Sequence, residues 1–432
     1  MAKLKLKLIQ VANYRELKWM VFPTLGLPMI AAVTPANYDV QIVDERAEPL
    51  NLNDNPDIVG VSFECFRQKR AFEIAESYRK KKIKVIFGGM HTTSCYNEVL
   101  KHCDAAVVGE AEELWPKVIS DFEKKTLKKI YRQDKPVDLS NLPLPRLDLI
   151  NLNNYTIVST IQATRGCIHN CQFCFSKTIN PTYRAFPVDY VYEQCKRAKH
   201  HVLGFMDDNF TADRKNAIKV LNRIAPLKKN IGFQANLYIG RDIELLKVMK
   251  KAGVVGIFAG MESINEESLK SVSKGFNKIK DYELCIRNLK EYGIEPKLGV
   301  IFGFDHDTKA IFKDTLDFIN RNNVLHVAAN LIIPYPGSDC YDFYQKQNRI
   351  LHNNFHLYDG RNVIVKPKHM TPKELEDGYK WFRNNYHAPL PTFKRMATNI
   401  KRPKNVGMHF AEFIAFHALK LKSSMTGKKF RN

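Results

Sequence analysis

Polar and apolar residues alternate one by one over Lys3–Leu8 (KLKLKL), and this period of two predicts a β-strand at Lys5–Val11. Short apolar runs recur at Val40–Asp44, Ile58–Phe63, Lys84–Phe87 and Ala105–Val108. Helical stretches fall between them near Leu27–Val33, Arg67–Arg79, Asn97–His102 and Ala111–Glu123. This alternation predicts parallel strands joined by crossover helices, a doubly wound sheet of about five strands. Such sheets bind ligands beyond the carboxyl ends of their strands. The rim residues here are Ser62, then Gly88 and Gly89, then Gly109 and Glu110, with glycines that let backbone approach a ligand.

The segment Leu139–Leu149 holds two prolines and no helical period, and is a linker. The strand–helix rhythm then resumes. Strands are predicted at Ile157–Ala163, Val202–Met206, Gly232–Asn236, Gly256–Gly260, Lys297–Phe302 and Val327–Ile333, with helices at Ile243–Ala252 and Asp281–Tyr292 the clearest by apolar spacing. The chain thus divides into an α/β domain at 1–138, a linker at 139–150, a second α/β domain at 151–340 and an extension at 341–432.

Composition supports a globular protein, with 44% hydrophobic and 26% charged residues among 432. No apolar run has the length to span a bilayer, and the alternating start is not a signal peptide. A reducing cytoplasm is therefore expected. The net charge of +22 suits a nucleic acid, an anionic membrane face or an anionic substrate, or simply a solvated lysine-rich surface.

The candidate chemistry sits in Thr164–Phe175, TRGCIHNCQFCF, where Cys167, Cys171 and Cys174 are spaced C-x3-C-x2-C. Three thiolates this close can hold three irons of a [4Fe–4S] cube and leave the fourth open to a small molecule. Structural zinc takes four closed ligands, so His169 or a distant residue would have to complete that alternative. A disulfide framework does not suit a long chain of this kind with nine cysteines. The other six cysteines show no second cluster spacing. Cys65 and Cys340 lie near strand ends, where a thiol could donate hydrogen; a buried inert thiol is the competing reading.

This spacing, with an aromatic before the third cysteine, resembles the radical S-adenosylmethionine (radical SAM) superfamily. The resemblance implies an incomplete (β/α)6 barrel with the cluster at the end of its first strand. It also implies an open iron that chelates SAM and an electron that splits SAM to a 5′-deoxyadenosyl radical. Matching positions follow in order at later strand ends. Asp207 and Asp208 correspond to the second-strand motif that receives the SAM ammonium, and Gln234 follows the third strand. Gly260–Ser263 resembles the family's G-x-E-S, giving Glu262 and Ser263 to the SAM carboxylate or ribose. Gly299 and Gly303 match the G-x-I-x-G that flanks adenine. Singly, such motifs also serve as helix caps and packing sites.

The first domain resembles the cobalamin-binding domain that precedes many radical SAM enzymes. The matching stretches are Phe22–Ala32, Val43–Glu45, Asp57–Ser62, Phe87–His91 and Val108–Glu112. The resemblance makes Ser62, Gly88, Gly89, Gly109 and Glu110 candidate cobalamin contacts. The D-x-H-x-x-G motif that supplies an axial histidine in cobalamin mutases is absent from Val11–Glu16 (VANYRE). Asp359–Leu375 looks like the extension of the hopanoid C-2 methylase and magnesium-protoporphyrin ester cyclase group. There Tyr358, Arg361 and His369 either line a substrate mouth or serve packing and turns.

The implied function is cobalamin-dependent C-methylation of a lipid-like or other unactivated substrate, with radical cyclisation or carbon–carbon coupling as the alternative. The implied electron donor is a flavodoxin or ferredoxin. A nucleic-acid-binding modifier rests on charge alone, and a non-enzymatic iron–sulfur scaffold is the remaining option. From Pro389 onward, basic residues flank a Phe-, Met- and Leu-rich helix at Val406–Leu421. That pattern suits either the headgroup plane of the inner membrane face or packing on the barrel.

Overall fold

A computed structural model of the protein describes residues 3–13, 22–156 and 158–399, with 414, 416 and 417. It divides into two compact units: Met1–Gln234 with Lys251–Gly253 and Ile333–Asp359, and Ala235–Lys250 with Val254–Ile332 and Gly360–Asn432.

Unit one begins with a parallel sheet of β1 (Leu4–Gln10), β2 (Tyr38–Asp44), β3 (Ile58–Ser62), β4 (Lys84–Gly88), β5 (Ala105–Val108) and β6 (Ile130–Arg132), in the order β2-β1-β3-β4-β5-β6. The opening alternation explains its two cores. Leu6 and Leu8 pack with Ile58, Ile86 and Trp115 on one face, while Ile9 packs with Val59, Val61 and Tyr78 on the other. Lys7 shares that second face and is buried; its ammonium is satisfied by Asp54, the Asn51 carbonyl and the Tyr78 hydroxyl.

Among the described residues the sheet has six strands, not five. β6 is a three-residue edge piece inside the charged run LKKIYRQD, too short for a period to mark. The helix expected at Asn97–His102 instead spans Met90–Val99, so Met90 and His91 are helical and not loop. Its start is set by Gly89, at φ +88°, a value β-carbon residues avoid. The helix expected from Ala111 starts at Trp115.

The rest of unit one holds β7 (Val158–Ile161), β8 (Thr164–Arg165), β9 (Arg184–Ala185), β10 (Val202–Phe205) and β11 (Asn230–Ala235, whose last residue falls in unit two). β7, β10 and β11 pair parallel, while β8 and β9 form a small antiparallel ladder. Unit two holds β12 (Val254–Glu262), β13 (Glu295–Phe302) and β14 (His326–Leu331), all parallel. With β7, β10 and β11, these are the six parallel strands of a partial (β/α)6 barrel in chain order.

Candidate active site

The cysteine loop leaves β8 through Gly166, at φ +80°. A β-carbon there would lie 2.4 Å from the Thr182 carbonyl oxygen, so only glycine fits. Cys167, Cys171 and Cys174 follow, each partly exposed. The His169 backbone N–H donates to Cys167 Sγ at 3.5 Å, and the buried Asn209 amide reaches the same sulfur at 3.7 Å. Donors to sulfur favour the thiolate, the form that ligates iron. Three accessible thiols on one loop, one already backed by N–H donors, fit a [4Fe–4S] cluster.

The end of β10 fixes that loop from behind. Asp207 is fully buried, and its Oδ1 accepts from Thr164 Oγ1 at 2.6 Å, from the Ala163 N–H at 3.1 Å and from the Thr164 N–H. Burial pushes its carboxyl up to about 7 although those donors oppose the shift. No hydrogen-bond partner is found for Oδ2 among the described residues. Asp208 is exposed and accepts from the Gly166 N–H at 3.0 Å and from Asn180 at 3.3 Å. Thus Asp207 supports the loop backbone, Asp208 braces its glycine, and Asn209 faces sulfur. The Gln234 side chain is exposed, while its carbonyl accepts from the Phe210 N–H at 2.9 Å.

In unit two the family-like positions are largely engaged internally. Glu262 is buried at φ +65°, next to a bulge in the β12–β13 register, and accepts from Lys274 at 2.5 Å. A β-carbon at Gly260 would lie 2.3 Å from that carboxylate, so the glycine makes room for the pair. Ser263 is buried and its hydroxyl accepts from the Asn265 N–H. A β-carbon at Gly299 would lie 3.1 Å from the Phe258 ring, and Gly303, at φ +100°, donates its N–H to Asp307 at 3.0 Å. Burial raises the Asp307 carboxyl to about 6.

Unit one also carries a cavity of about 280 Å³ at the carboxyl end of its first sheet. The sheet order reverses between β1 and β3, the switch point where doubly wound sheets take ligands, and Leu8, Gly60 and Val61 line the cavity there. All five rim residues, Ser62, Gly88, Gly89, Gly109 and Glu110, line it too, with Leu27 and Trp115 on its apolar side. A β-carbon at Gly88 would meet nothing within 4 Å, whereas one at Gly89 would strike Ser62 Oγ at 2.6 Å. An apolar cleft with open glycine backbone fits a large planar cofactor such as cobalamin. The loop after β1 that lacks the axial histidine lies outside the described residues from Tyr14 onward.

The sequence does not reveal Arg165 and Arg184 as partners of Glu110, nor Glu112 as the second partner of Arg165. Glu110 accepts from Arg165 at 2.7 Å and from Arg184 at 2.8 Å, and Arg165 also donates to Glu112 at 2.6 Å. The β8–β9 register sets the two arginines side by side. Burial works against the Glu110 charge, but the Arg184 and Arg165 hydrogen bonds outweigh it and hold the carboxyl below its usual range. Arg165 and Glu112 line the cavity, and Arg165 stands two residues before Cys167. Tyr358 is buried with its hydroxyl on the His352 carbonyl, as the packing alternative expects. Cys65 and Cys340 are buried, and burial pushes the Cys65 thiol well up.

A cysteine loop after the first barrel strand, behind a doubly wound domain with a switch-point cavity, defines a class. The chain carries a Radical SAM superfamily domain, matched over residues 161–319, and a B12 binding domain, matched over residues 20–119. It is therefore a radical SAM enzyme, for which a [4Fe–4S] cluster and SAM are the implied cofactors. It is 26% identical over 388 residues to bacteriochlorophyllide d C-12(1)-methyltransferase of Chlorobaculum tepidum, covering 86% of this chain and 84% of that protein. It is also 26% identical to hopanoid C-2 methylase of Rhodopseudomonas palustris, covering 77% and 66%. Its fold matches that of OxsB, a cobalamin-dependent S-adenosylmethionine radical enzyme solved with aqua-cobalamin and S-adenosylmethionine bound. The TM-score is 0.70 at 16% identity, covering 96% of this chain and 75% of that one.

Proposed function

We propose that this protein is a cobalamin-using radical SAM C-methyltransferase acting on an unactivated carbon of an apolar, lipid-like scaffold. The observation that carries the reading is the switch-point cavity, whose wall includes Arg165, two residues before the first cluster cysteine. Relatives that methylate a bacteriochlorophyllide and a hopanoid support the reaction and the greasy substrate class.

When bound, the cluster supplies the electron that opens SAM to an adenosyl radical, and the corrin supplies a methyl carrier. The chain's own residues hold these groups. Cys167, Cys171 and Cys174 ligate iron, with Asn209 donating to the first sulfur. Asp208, Gln234, Glu262, Ser263, Gly299 and Gly303 are the proposed surroundings of SAM, with Asp207 holding the loop. Ser62, Gly88, Gly89, Gly109 and Glu110 are the proposed corrin contacts. The ranges 1–138, 151–340 and 341–432 are the proposed cofactor domain, barrel and extension. A flavodoxin- or ferredoxin-type protein is the proposed electron donor. No helix among the described residues is long and apolar enough to cross a membrane. The basic segment Val406–Leu421, proposed as a peripheral contact with the inner membrane face, lies almost wholly outside the described residues.

The test is anaerobic purification with cobalamin supplied, followed by iron and corrinoid quantification. Incubation with reductant, SAM and extracts of apolar pigments and lipids then tests for 5′-deoxyadenosine, S-adenosylhomocysteine and a methylated product. Absence of corrinoid overturns the methyl-transfer reading; a reduced cluster that never yields 5′-deoxyadenosine overturns the radical one.

A further inference from the structure

The helix Met90–Val99 carries three ligand-bearing side chains that no step above uses. His91, Cys95 and Glu98 stand at i, i+4 and i+7, one face of a helix. The helix departs from regular geometry at Cys95, φ −126° and ψ 33°, and one ligand atom from each of the three lies within 4.8 Å of the other two.

The imidazole supplies a second, independent observation. His91 is only 1% exposed, and neither ring nitrogen has a hydrogen-bond partner among the described residues. Its ring is walled by Phe63 at 5.6 Å and Phe355 at 5.5 Å, which offer no acceptor or donor. Buried polar atoms are nearly always paired, so an imidazole orphaned at both nitrogens among the described residues calls for a further partner, such as a metal ion. The other two groups already have the outer bonds that metal ligands use. The Gln68 amide donates to Glu98 Oε1 at 2.7 Å, leaving Oε2 available, and the Ser94 hydroxyl reaches Cys95 Sγ at 3.7 Å.

We propose that His91, Cys95 and Glu98 bind a zinc-class divalent ion, leaving a fourth position to water. One nitrogen, one sulfur and one oxygen donor form the mixed set that zinc accepts in tetrahedral sites. A neutral imidazole, a thiolate and a carboxylate together neutralise a doubly charged ion, which suits a half-buried site. Binding releases the Cys95 proton to solvent and involves no change of oxidation state. The site shares no residue with the cysteine triad or with the lining of the corrin cavity, and its test reads zinc and not turnover, so it can fail without the function proposed above failing.

The experiment uses the full-length holoenzyme. Zinc and iron are measured by mass spectrometry after exhaustive dialysis, and zinc K-edge absorption reads the coordination shell without interference from the iron cluster. The expected result is about one zinc per chain, with one sulfur at about 2.3 Å and nitrogen or oxygen at about 2.0 Å. Cys95→Ser should remove the sulfur shell and weaken zinc retention at least tenfold, with iron content unchanged. Glu98→Gln, at an exposed position that does not threaten folding, should lower retention while keeping the sulfur shell. Dialysis to zinc-free protein with full iron overturns the proposal. So does a shell of three sulfurs, which would place zinc in the triad, or zinc retained unchanged in Cys95→Ser.

Discussion

The strand ends of unit one and those of unit two use similar residue types to different ends. In unit one, Ser62, Gly88, Gly89, Gly109 and Glu110 converge on open space, and the cysteines are partly exposed. In unit two, Glu262 is closed on Lys274, Gly303 on Asp307, and Gly299 on Phe258. A glycine or carboxylate at a strand end is therefore not yet a binding group. What distinguishes the first set is an open cavity beside it; what distinguishes the second is that Glu262 and Gly303 already have partners, to which a ligand would be added.

The comparison breaks most severely at the triad. Cys171→Ala removes one of three iron ligands and is expected to bring iron content close to zero and abolish 5′-deoxyadenosine formation, while corrinoid binding persists. Iron analysis and product chromatography on the same anaerobic preparation check this. Next in size is Arg165→Met. It leaves Glu112 without its arginine and Glu110 with only Arg184, and breaking a buried ion pair from one side costs about 3–5 kcal/mol. Chemical denaturation at neutral pH should show that loss, and acidification should shrink it. Glu110 is held ionised below its ordinary value of 4.5, so its contribution is present above that pH and vanishes as pH falls through its lowered folded value.

The two glycines at the end of β4 separate folding from binding. A β-carbon at Gly88 meets nothing within 4 Å and the residue lines the cavity, so Gly88→Leu should keep its melting temperature and lose at least about tenfold in cobalamin affinity. Gly89→Ala strains a left-handed position and crowds Ser62, costing about 1–3 kcal/mol of stability. Calorimetry and equilibrium dialysis of both variants distinguish the roles.

What the sequence made legible was local. The triad's spacing lies within one loop, and the rim glycines end strands whose apolar runs are plain, so both could be named from the chain alone. The arginine clamp could not be named, because Glu110 and Arg165 are 55 residues apart and only the fold pairs them. Lys274 could not be foreseen as the partner of Glu262, since nothing in the run between them has a period that points one at the other. The helix at Met90 was missed for a different reason: MHTTSCYNEV has little amphipathic pattern, and its start depends on the left-handed turn at Gly89. Motif position puts Asp207 beside SAM; its burial and its bonds to the loop backbone are visible only in the fold.

Asp207 gives the pH-dependent form of the comparison. Burial lifts its carboxyl from 3.8 to about 7, so the folded chain holds a proton that the unfolded chain releases. That favours the fold at low pH, and the advantage is lost progressively as pH rises from about 3.8 to about 7, with no further change above. Asp207→Asn carries no such proton. Its melting temperature relative to the wild type should therefore climb between pH 4.5 and 7.5 and then level, since burial penalises only the charged form. A flat difference across that range would mean that the carboxyl stays ionised in the fold.

The smallest effect is the one closest to the chemistry. Asn209→Leu keeps the volume beside Cys167 but removes the amide that reaches its sulfur at 3.7 Å. An N–H donor stabilises the reduced cluster, whose sulfurs carry more negative charge, so losing it should lower the reduction potential. Iron content and cobalamin binding should not move, because the ligands and the cavity are untouched. A redox titration followed by electron paramagnetic resonance reads the shift directly, independently of turnover. An unchanged potential would mean that the contact orders the loop and leaves the electronics of the site to the backbone donor at His169.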